Sequence, residues 1–157
     1  MAAEWIPTMK QVLFLCSANY YRSRFAEHLF NWLAPQIGLP WRADSRGLMV
    51  GYWGNVGPIS EFTVDALRLR GIPINGNHRY PESLALTDLS NSELVVAVKE
   101  SEHRPLMEDL FPDWADRVEY WDVDDVDCAT PGVALPYLEE KVRTLVARLR
   151  GPTGATV

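Results

Sequence analysis

Residues 11–23 read QVLFLCSANYYRS, and this stretch decides the fold that we predict. Its first part, residues 11–16, is an apolar run that is too short for a stable helix and is typical of a β-strand. A polar turn follows, and apolar residues at helical spacing then run over residues 23–33. The stretch therefore predicts a strand, a tight loop and a helix in direct succession.

Strands and helices continue to alternate along the rest of the chain. Three further runs are typical of strands, the first of them weakly: residues 41–45, 93–99 and 117–122. Helical spacing predicts a helix capped by Ser60, another capped by Ser101 and a third over residues 135–149. Because this alternation favours crossover connections, we predict an α/β fold, a three-layer sandwich with a central parallel sheet of about four strands.

Composition narrows the class of protein. The chain has 157 residues, of which 47% are hydrophobic and 23% charged, and this predicts one globular domain over residues 1–157 with loose ends at 1–10 and 151–157. The net charge of -6 argues against nucleic-acid and anionic-membrane partners. Two cysteines are too few for a disulfide scaffold, and no signal peptide is visible, so we expect a cytoplasmic protein.

The loop after the first strand carries the residues expected to do chemistry. Cys16 and Arg22 are separated by five residues. A loop that curls at a strand end points its N–H groups inward, and the helix that follows adds its positive end. These dipoles favour the thiolate of Cys16, and the guanidinium of Arg22 can bind two phosphate oxygens. We predict a phosphate-binding loop that consists of Ser17, Ala18, Asn19, Tyr20, Tyr21, Arg22 and Ser23.

A cluster of carboxylates follows the last predicted strand. Its members are Asp122, Asp124, Asp125 and Asp127. In a parallel sheet this strand end faces the same crevice as Cys16. One of these carboxyl groups could therefore protonate the leaving group when the thiolate attacks a phosphate ester.

The chain resembles the low-molecular-weight protein tyrosine phosphatases from residue 12 to about residue 149. The shared motifs are the strand 12–16, Asn19, Arg22-Ser23, Ala26-Glu27, Asp44-Ser45, residues 71–73, His78-Arg79, residues 86–88, residues 93–98, Glu100-Ser101 and residues 121–125. The resemblance implies a phosphatase I-like sandwich and hydrolysis of phosphate monoesters without a metal or another cofactor. The implied substrate is a phosphorylated protein or a small aryl phosphate, and we expect a monomer or a weak homodimer.

The resemblance also implies a role for each site residue. Cys16 resembles the nucleophile that forms a cysteinyl-phosphate, Arg22 the phosphate clamp and Asp125 the general acid. Four residues resemble the network that supports the loop: Asn19, Ser23, Ser45 and His78. The expected walls of the substrate pocket are Tyr20, Tyr52 and Trp53.

Three departures from the family pattern bear on these roles. Ala18 stands where the family has glycine, so a positive φ there would be costly. Arg24 replaces a proline and is expected to add positive charge near the rim. Asp125 is followed by Val126 rather than by proline and aromatic residues, so Asp124 stays open as an alternative general acid.

Two other functions stay open at this point. An arsenate reductase-like oxidoreductase would need a resolving thiol, and Cys128 is the only other cysteine. A phosphate-binding regulatory module with weak turnover would retain the loop and lose the chemistry. Two histidines match no motif, and we expect His28 to be structural and His103 to be exposed.

Overall fold

The computed structural model describes residues 8–74 and 79–151, and its centre is a sheet of four parallel strands. The strands are β1 Lys10–Cys16, β2 Trp41–Gly47, β3 Leu94–Ala97 and β4 Glu119–Tyr120. Their order across the sheet is β2-β1-β3-β4, and all three neighbouring pairs are parallel. The predicted parallel sheet of about four strands is thus confirmed.

Five helices flank the sheet within the described residues. They are α1 Arg22–Gln36, α2 Glu61–Leu69, α3 Leu86–Ser90, α4 Glu100–Leu110 and α5 Pro131–Arg150. As predicted, Ser60 caps α2, and its side chain accepts a hydrogen bond from the Phe62 N–H. None of the described helices is both long enough and apolar enough to cross a bilayer.

Each face of β1 packs against a different set of helices, because successive side chains of a strand point to opposite sides. Phe14 belongs to a core shared with α1, α2 and α5. Leu13 and Leu15 belong to a second core, shared with α3 and α4. Both faces of the sheet are therefore covered by helices, and the predicted three-layer α/β sandwich is confirmed.

The predicted boundaries need three corrections. The N-cap of α4 is Lys99 rather than Ser101, because the Lys99 carbonyl already accepts the first helical hydrogen bonds. A short 3-10 helix, Ala115–Arg117, precedes β4 and shortens the strand predicted over 117–122. The loose N-terminal end predicted over 1–10 is too long, since Lys10 is already paired with Trp41.

The strand order creates a crevice at the carboxyl edge of the sheet. From β1 the chain crosses to β2 on one side and then returns to β3 on the other. The loops that leave β1 and β3 therefore run in opposite directions and leave a crevice between them. Doubly wound sheets bind their ligands in such a crevice. The loop after Cys16 and the first turn of α4 lie at this point.

Candidate active site

The loop between β1 and α1 turns at Asn19. Its φ of 53° is the only positive value among the described residues other than glycine, and asparagine tolerates this conformation better than most residues. The Asn19 side-chain amide donates to Ser23 Oγ and to Ser45 Oγ, both at 2.9 Å. The same side chain thus allows the turn and ties it to α1 and β2.

A second layer of buried polar groups supports Asn19. Arg79 donates to Asn19 Oδ1 at 2.9 Å, and Ser45 Oγ donates to Glu27 Oε1 at 2.6 Å. Burial raises the pKa of Glu27, while the Ser45 hydrogen bond and the charge of Arg79 act in the opposite direction. The predicted role of His78 lies outside the described residues, and its neighbour Arg79 makes the contacts to this network.

Gly47 leaves the room that the loop needs. A Cβ at this position would lie 2.8 Å from the Ser17 carbonyl oxygen and 3.0 Å from Asn19 Cβ.

We expect Gly47→Ala to lower the free energy of unfolding by about 1–3 kcal/mol, measured by urea denaturation, because the loop must shift. Gly132→Ala, where the added Cβ meets no atom within 4 Å, is the matched control and should be neutral or stabilising. Equal effects of the two changes would contradict this prediction.

The backbone N–H groups of the loop are open. Within the described part of the chain, no acceptor binds the N–H groups of residues 17–21. Because α1 begins at Arg22, its positive end adds to these N–H groups. This arrangement is a nest suited to a phosphate dianion.

Cys16 and Arg22 flank this nest. The Cys16 side chain is buried, and its Sγ lies 2.9 Å from Ser23 Oγ. Arg22 is also buried and donates to the Val123 carbonyl at 2.9 Å and to Glu102 Oε2 at 2.8 Å. Burial disfavours the charged guanidinium, but Cys16 and Glu102 raise the pKa of Arg22 above its ordinary value. Arg22 is therefore a permanent cation beside the thiol.

The two candidate acids point in different directions. Asp125 Oδ2 lies 3.4 Å from an Arg22 terminal nitrogen, and Asp125 lines the same cavity as Cys16. Asp124 instead forms an ion pair with Lys99 on another side of the loop. Of the two carboxylates that the sequence left open, the geometry favours Asp125.

The cavity above Cys16 has a volume of about 420 Å³ and is lined partly by apolar side chains. These are Ala18, Tyr20, Tyr21, Trp53, Phe62 and Val126. Of the expected walls, Tyr20 and Trp53 line the cavity, whereas Tyr52 is 72% exposed and packs edge-on against Trp53 at 5.2 Å. Phe62 was not predicted as a wall, because its place in the helical spacing of α2 indicates a core residue, yet it is 52% exposed. Burial, together with Asp125, raises the pKa of Tyr21 to about 12, so the phenol stays neutral.

Two departures from the family pattern have different consequences from those expected. Ala18 does not need a positive φ, because the left-handed residue of the loop is Asn19. Arg24 adds no charge at the rim: it is fully buried and donates to the Pro58 carbonyl at 3.0 Å. Burial and the charge of Arg79 lower the pKa of Arg24 to about 10.

Two site residues were not predicted. His103 is fully buried rather than exposed, and Glu102 contacts Arg22, Ser17 and His103. Their position in the first turn after β3, at the same sheet edge as Cys16, is the signal that could have identified them. Cys128 is a free, exposed thiol, and it is not among the described residues that line the Cys16 cavity.

Comparison with known proteins places the chain among phosphatases. The model of the family described as low molecular weight phosphotyrosine protein phosphatase matches residues 11–150. A relative from Bacillus subtilis (strain 168), the low molecular weight protein-tyrosine-phosphatase YfkJ, is 35% identical over 92 residues. That match covers 57% of this chain, and the chain spans 56% of the relative.

Solved structures of similar proteins share the fold. The low molecular weight protein tyrosine phosphatase from T. tengcongensis has a TM-score of 0.72 and 28% identity, over 89% of this chain and 97% of that one. The structure of YfkJ from Bacillus subtilis has a TM-score of 0.73 and 25% identity, over 92% and 96%. The similarity therefore covers nearly the whole domain and includes the loop that follows Cys16.

Proposed function

Because the chain belongs to the low molecular weight phosphotyrosine protein phosphatase family, we propose that it hydrolyses phosphate monoesters through a cysteinyl-phosphate on Cys16. One observation carries the proposal: a buried thiol, a guanidinium and a carboxyl group meet at one cavity. Cys16, Arg22 and Asp125 all line that cavity, beside the loop whose N–H groups are open. A thiol, a clamp and an acid within one cavity are what thiolate attack on a phosphate ester requires.

The first step transfers the phosphoryl group to sulfur. The Cys16 thiolate forms an S–P bond while the bond from phosphorus to the leaving oxygen breaks. The electron pair of that bond goes to the leaving oxygen, which takes a proton from Asp125. The loop N–H groups and Arg22 bind the three phosphoryl oxygens and stabilise the charge of the transition state.

The second step returns the enzyme to its starting form. A water oxygen attacks phosphorus and gives its proton to the Asp125 carboxylate. The S–P bond breaks, its electron pair returns to Cys16 Sγ, and inorganic phosphate leaves. The Ser23 hydroxyl, 2.9 Å from the sulfur, can donate to the thiolate before it attacks and again when it departs in the second step.

The proposed substrate is a phosphotyrosine side chain of a protein, or a small aryl phosphate. The apolar residues that line the cavity support this choice, because Tyr20 and Trp53 offer aromatic surface for a flat leaving group. The Tyr20 hydroxyl donates to the Val56 carbonyl at 2.5 Å, which ties the segment around Val56 to the phosphate-binding loop.

The proposed working form is a single domain over residues 1–157, active in the cytoplasm as a monomer or a weak homodimer. It needs no metal, no other cofactor, no nucleic acid and no membrane. The net charge of -6 supports the exclusion of nucleic acid, and the two free cysteines are consistent with a reducing compartment.

The test is phosphate release from para-nitrophenyl phosphate and from a phosphotyrosine peptide, with EDTA present. We expect turnover of both substrates, and inactivation by iodoacetate that inorganic phosphate slows. Folded protein that binds phosphate without releasing it from either ester would favour the binding-module function. Oxidation of a thiol donor that depends on arsenate would instead favour the reductase function, and either result contradicts our proposal.

A further inference from the structure

Two acceptors from segments outside the phosphate-binding loop hold the Arg22 guanidinium. One terminal nitrogen donates to the Val123 carbonyl, and the other donates to Glu102 Oε2 at 2.8 Å. A guanidinium has five N–H groups, so several stay free to bind an oxyanion in the nest. Building on the proposed function, we propose that Glu102, itself oriented by His103, is a positioning residue that holds Arg22 ready to bind phosphate.

The orientation of His103 follows from its two ring nitrogens. The backbone N–H of Lys99 donates to Nδ1 at 3.1 Å, so Nδ1 is an acceptor and the proton of the neutral ring is on Nε2. Nε2 lies 3.0 Å from Glu102 Oε2 and 3.0 Å from Ser17 Oγ. The backbone at the start of α4 therefore sets the tautomer that donates toward the carboxylate.

The Glu102 carboxylate accepts hydrogen bonds from three parts of the site. Its Oε2 accepts from Arg22, from the Ser17 hydroxyl and from His103. Although burial by itself raises the pKa of Glu102, the hydrogen bonds from His103 and Arg22 hold it well below its ordinary range. Burial lowers the pKa of His103, and the charge of Arg22 acts in the same direction. The pair is thus a carboxylate and a neutral imidazole.

These hydrogen bonds fix the orientation of the Arg22 side chain before substrate binds. An arginine side chain has many rotamers, and each one lost at substrate binding weakens the complex. A half-buried carboxylate that already selects the binding rotamer removes part of that cost. In metal sites, mutating a residue that orients a ligand typically lowers metal affinity or activity by about 10–100-fold. We expect a loss of phosphate affinity of the same order here.

The first test measures inorganic phosphate as a competitive inhibitor, alongside kcat and KM for para-nitrophenyl phosphate. We expect Glu102→Ala to weaken phosphate binding by about 10–100-fold and to lower kcat/KM by a similar factor. Glu102→Gln keeps an acceptor oxygen for Arg22 and should recover most of the loss. Tighter phosphate binding by Glu102→Ala would overturn the proposal, since Glu102 would then compete with phosphate for Arg22.

Glu100 provides a matched control on the same turn of α4. It is 55% exposed and pairs with Arg104, away from the cavity. Glu100→Ala therefore removes the same charge and the same kind of ion pair without touching Arg22. We expect the inhibition constant of inorganic phosphate for this variant to lie within about twofold of the wild-type value. An equal loss in both variants would assign the effect to helix stability or net charge and would overturn the positioning role.

A double-mutant cycle separates positioning from independent binding. If Glu102 acts through Arg22, Glu102→Ala should change phosphate binding by less than about twofold once Arg22→Lys is present. Additive losses would overturn the proposal. Phosphate binding and turnover are measured separately. If phosphate binding depends on Glu102 but the protein shows no turnover, only the proposed function is contradicted. Normal turnover with phosphate binding that is indifferent to Glu102 contradicts only the positioning role.

Discussion

Replacing Cys16 by serine should reduce phosphate release from para-nitrophenyl phosphate to the level of a protein-free blank. The serine hydroxyl stays protonated in the same loop, so the variant lacks the thiolate that forms the S–P bond. Inorganic phosphate should still bind, because the open N–H groups of residues 17–21 and the Arg22 guanidinium are unchanged. Turnover is measured by phosphate release, and binding by calorimetry.

The other cysteine provides the control for this experiment. Cys128 is exposed, and Cys128→Ser should retain the activity of the wild type. Turnover near the wild-type rate in Cys16→Ser would exclude Cys16 as the nucleophile. Loss of turnover in Cys128→Ser would instead implicate a second thiol, as the reductase function requires.

Asp125→Asn should lower kcat by about 10²–10⁴-fold for phenyl phosphate, whose leaving group needs a proton. The amide cannot donate an acidic proton, while its size and its position beside Arg22 stay the same. For para-nitrophenyl phosphate the loss should be smaller, because nitrophenolate leaves more readily without help. The measurement is kcat for a series of aryl phosphates whose leaving groups differ in pKa. The plot of log kcat against the pKa of the leaving group should have a steeper slope in the variant.

Asp124→Asn is the matched control, because the change is chemically identical and lies one residue away. Asp124 forms its ion pair with Lys99, and the residues that line the Cys16 cavity include Asp125 but not Asp124. We expect its kcat to stay within a few-fold of the wild type, since a part-exposed ion pair contributes little. A larger loss in Asp124→Asn than in Asp125→Asn would move the general acid to Asp124.

The order of the elements could be predicted because short-range patterns specify it. The apolar run before Cys16, the polar turn and the helical stripe identify a strand, a loop and a helix without knowledge of the rest of the fold. Ser60 could be recognised as a cap for the same reason, since a cap acts on N–H groups two or three residues away. The short α3, Leu86–Ser90, has too few residues to show a helical period and was not predicted.

Burial of charged and polar side chains could not be predicted, because it depends on what packs against them. Arg24 follows the phosphate-binding loop and was expected at the rim, yet it is fully buried and donates to the Pro58 carbonyl. His103 was expected on an exposed helix face, but its ring lies against the Lys99 backbone and Ser17. Pro58 and Ser17 are distant in sequence from the side chains that they contact, and no local period reports such contacts.

The parallel α/β fold, and the loop with its thiol and its arginine, can be inferred from the sequence alone. These features follow from periodicity and from the fixed spacing of residues along one short stretch. Only the tertiary structure decided which carboxylates meet that loop. Asp125 and Glu102 follow different strands, and their contact with Arg22 depends on how β1, β3 and β4 are ordered in the sheet. The physical reason is that hydrogen bonds and ion pairs act over a few ångströms, whereas these residues are about 80 and 100 positions from Arg22 along the chain.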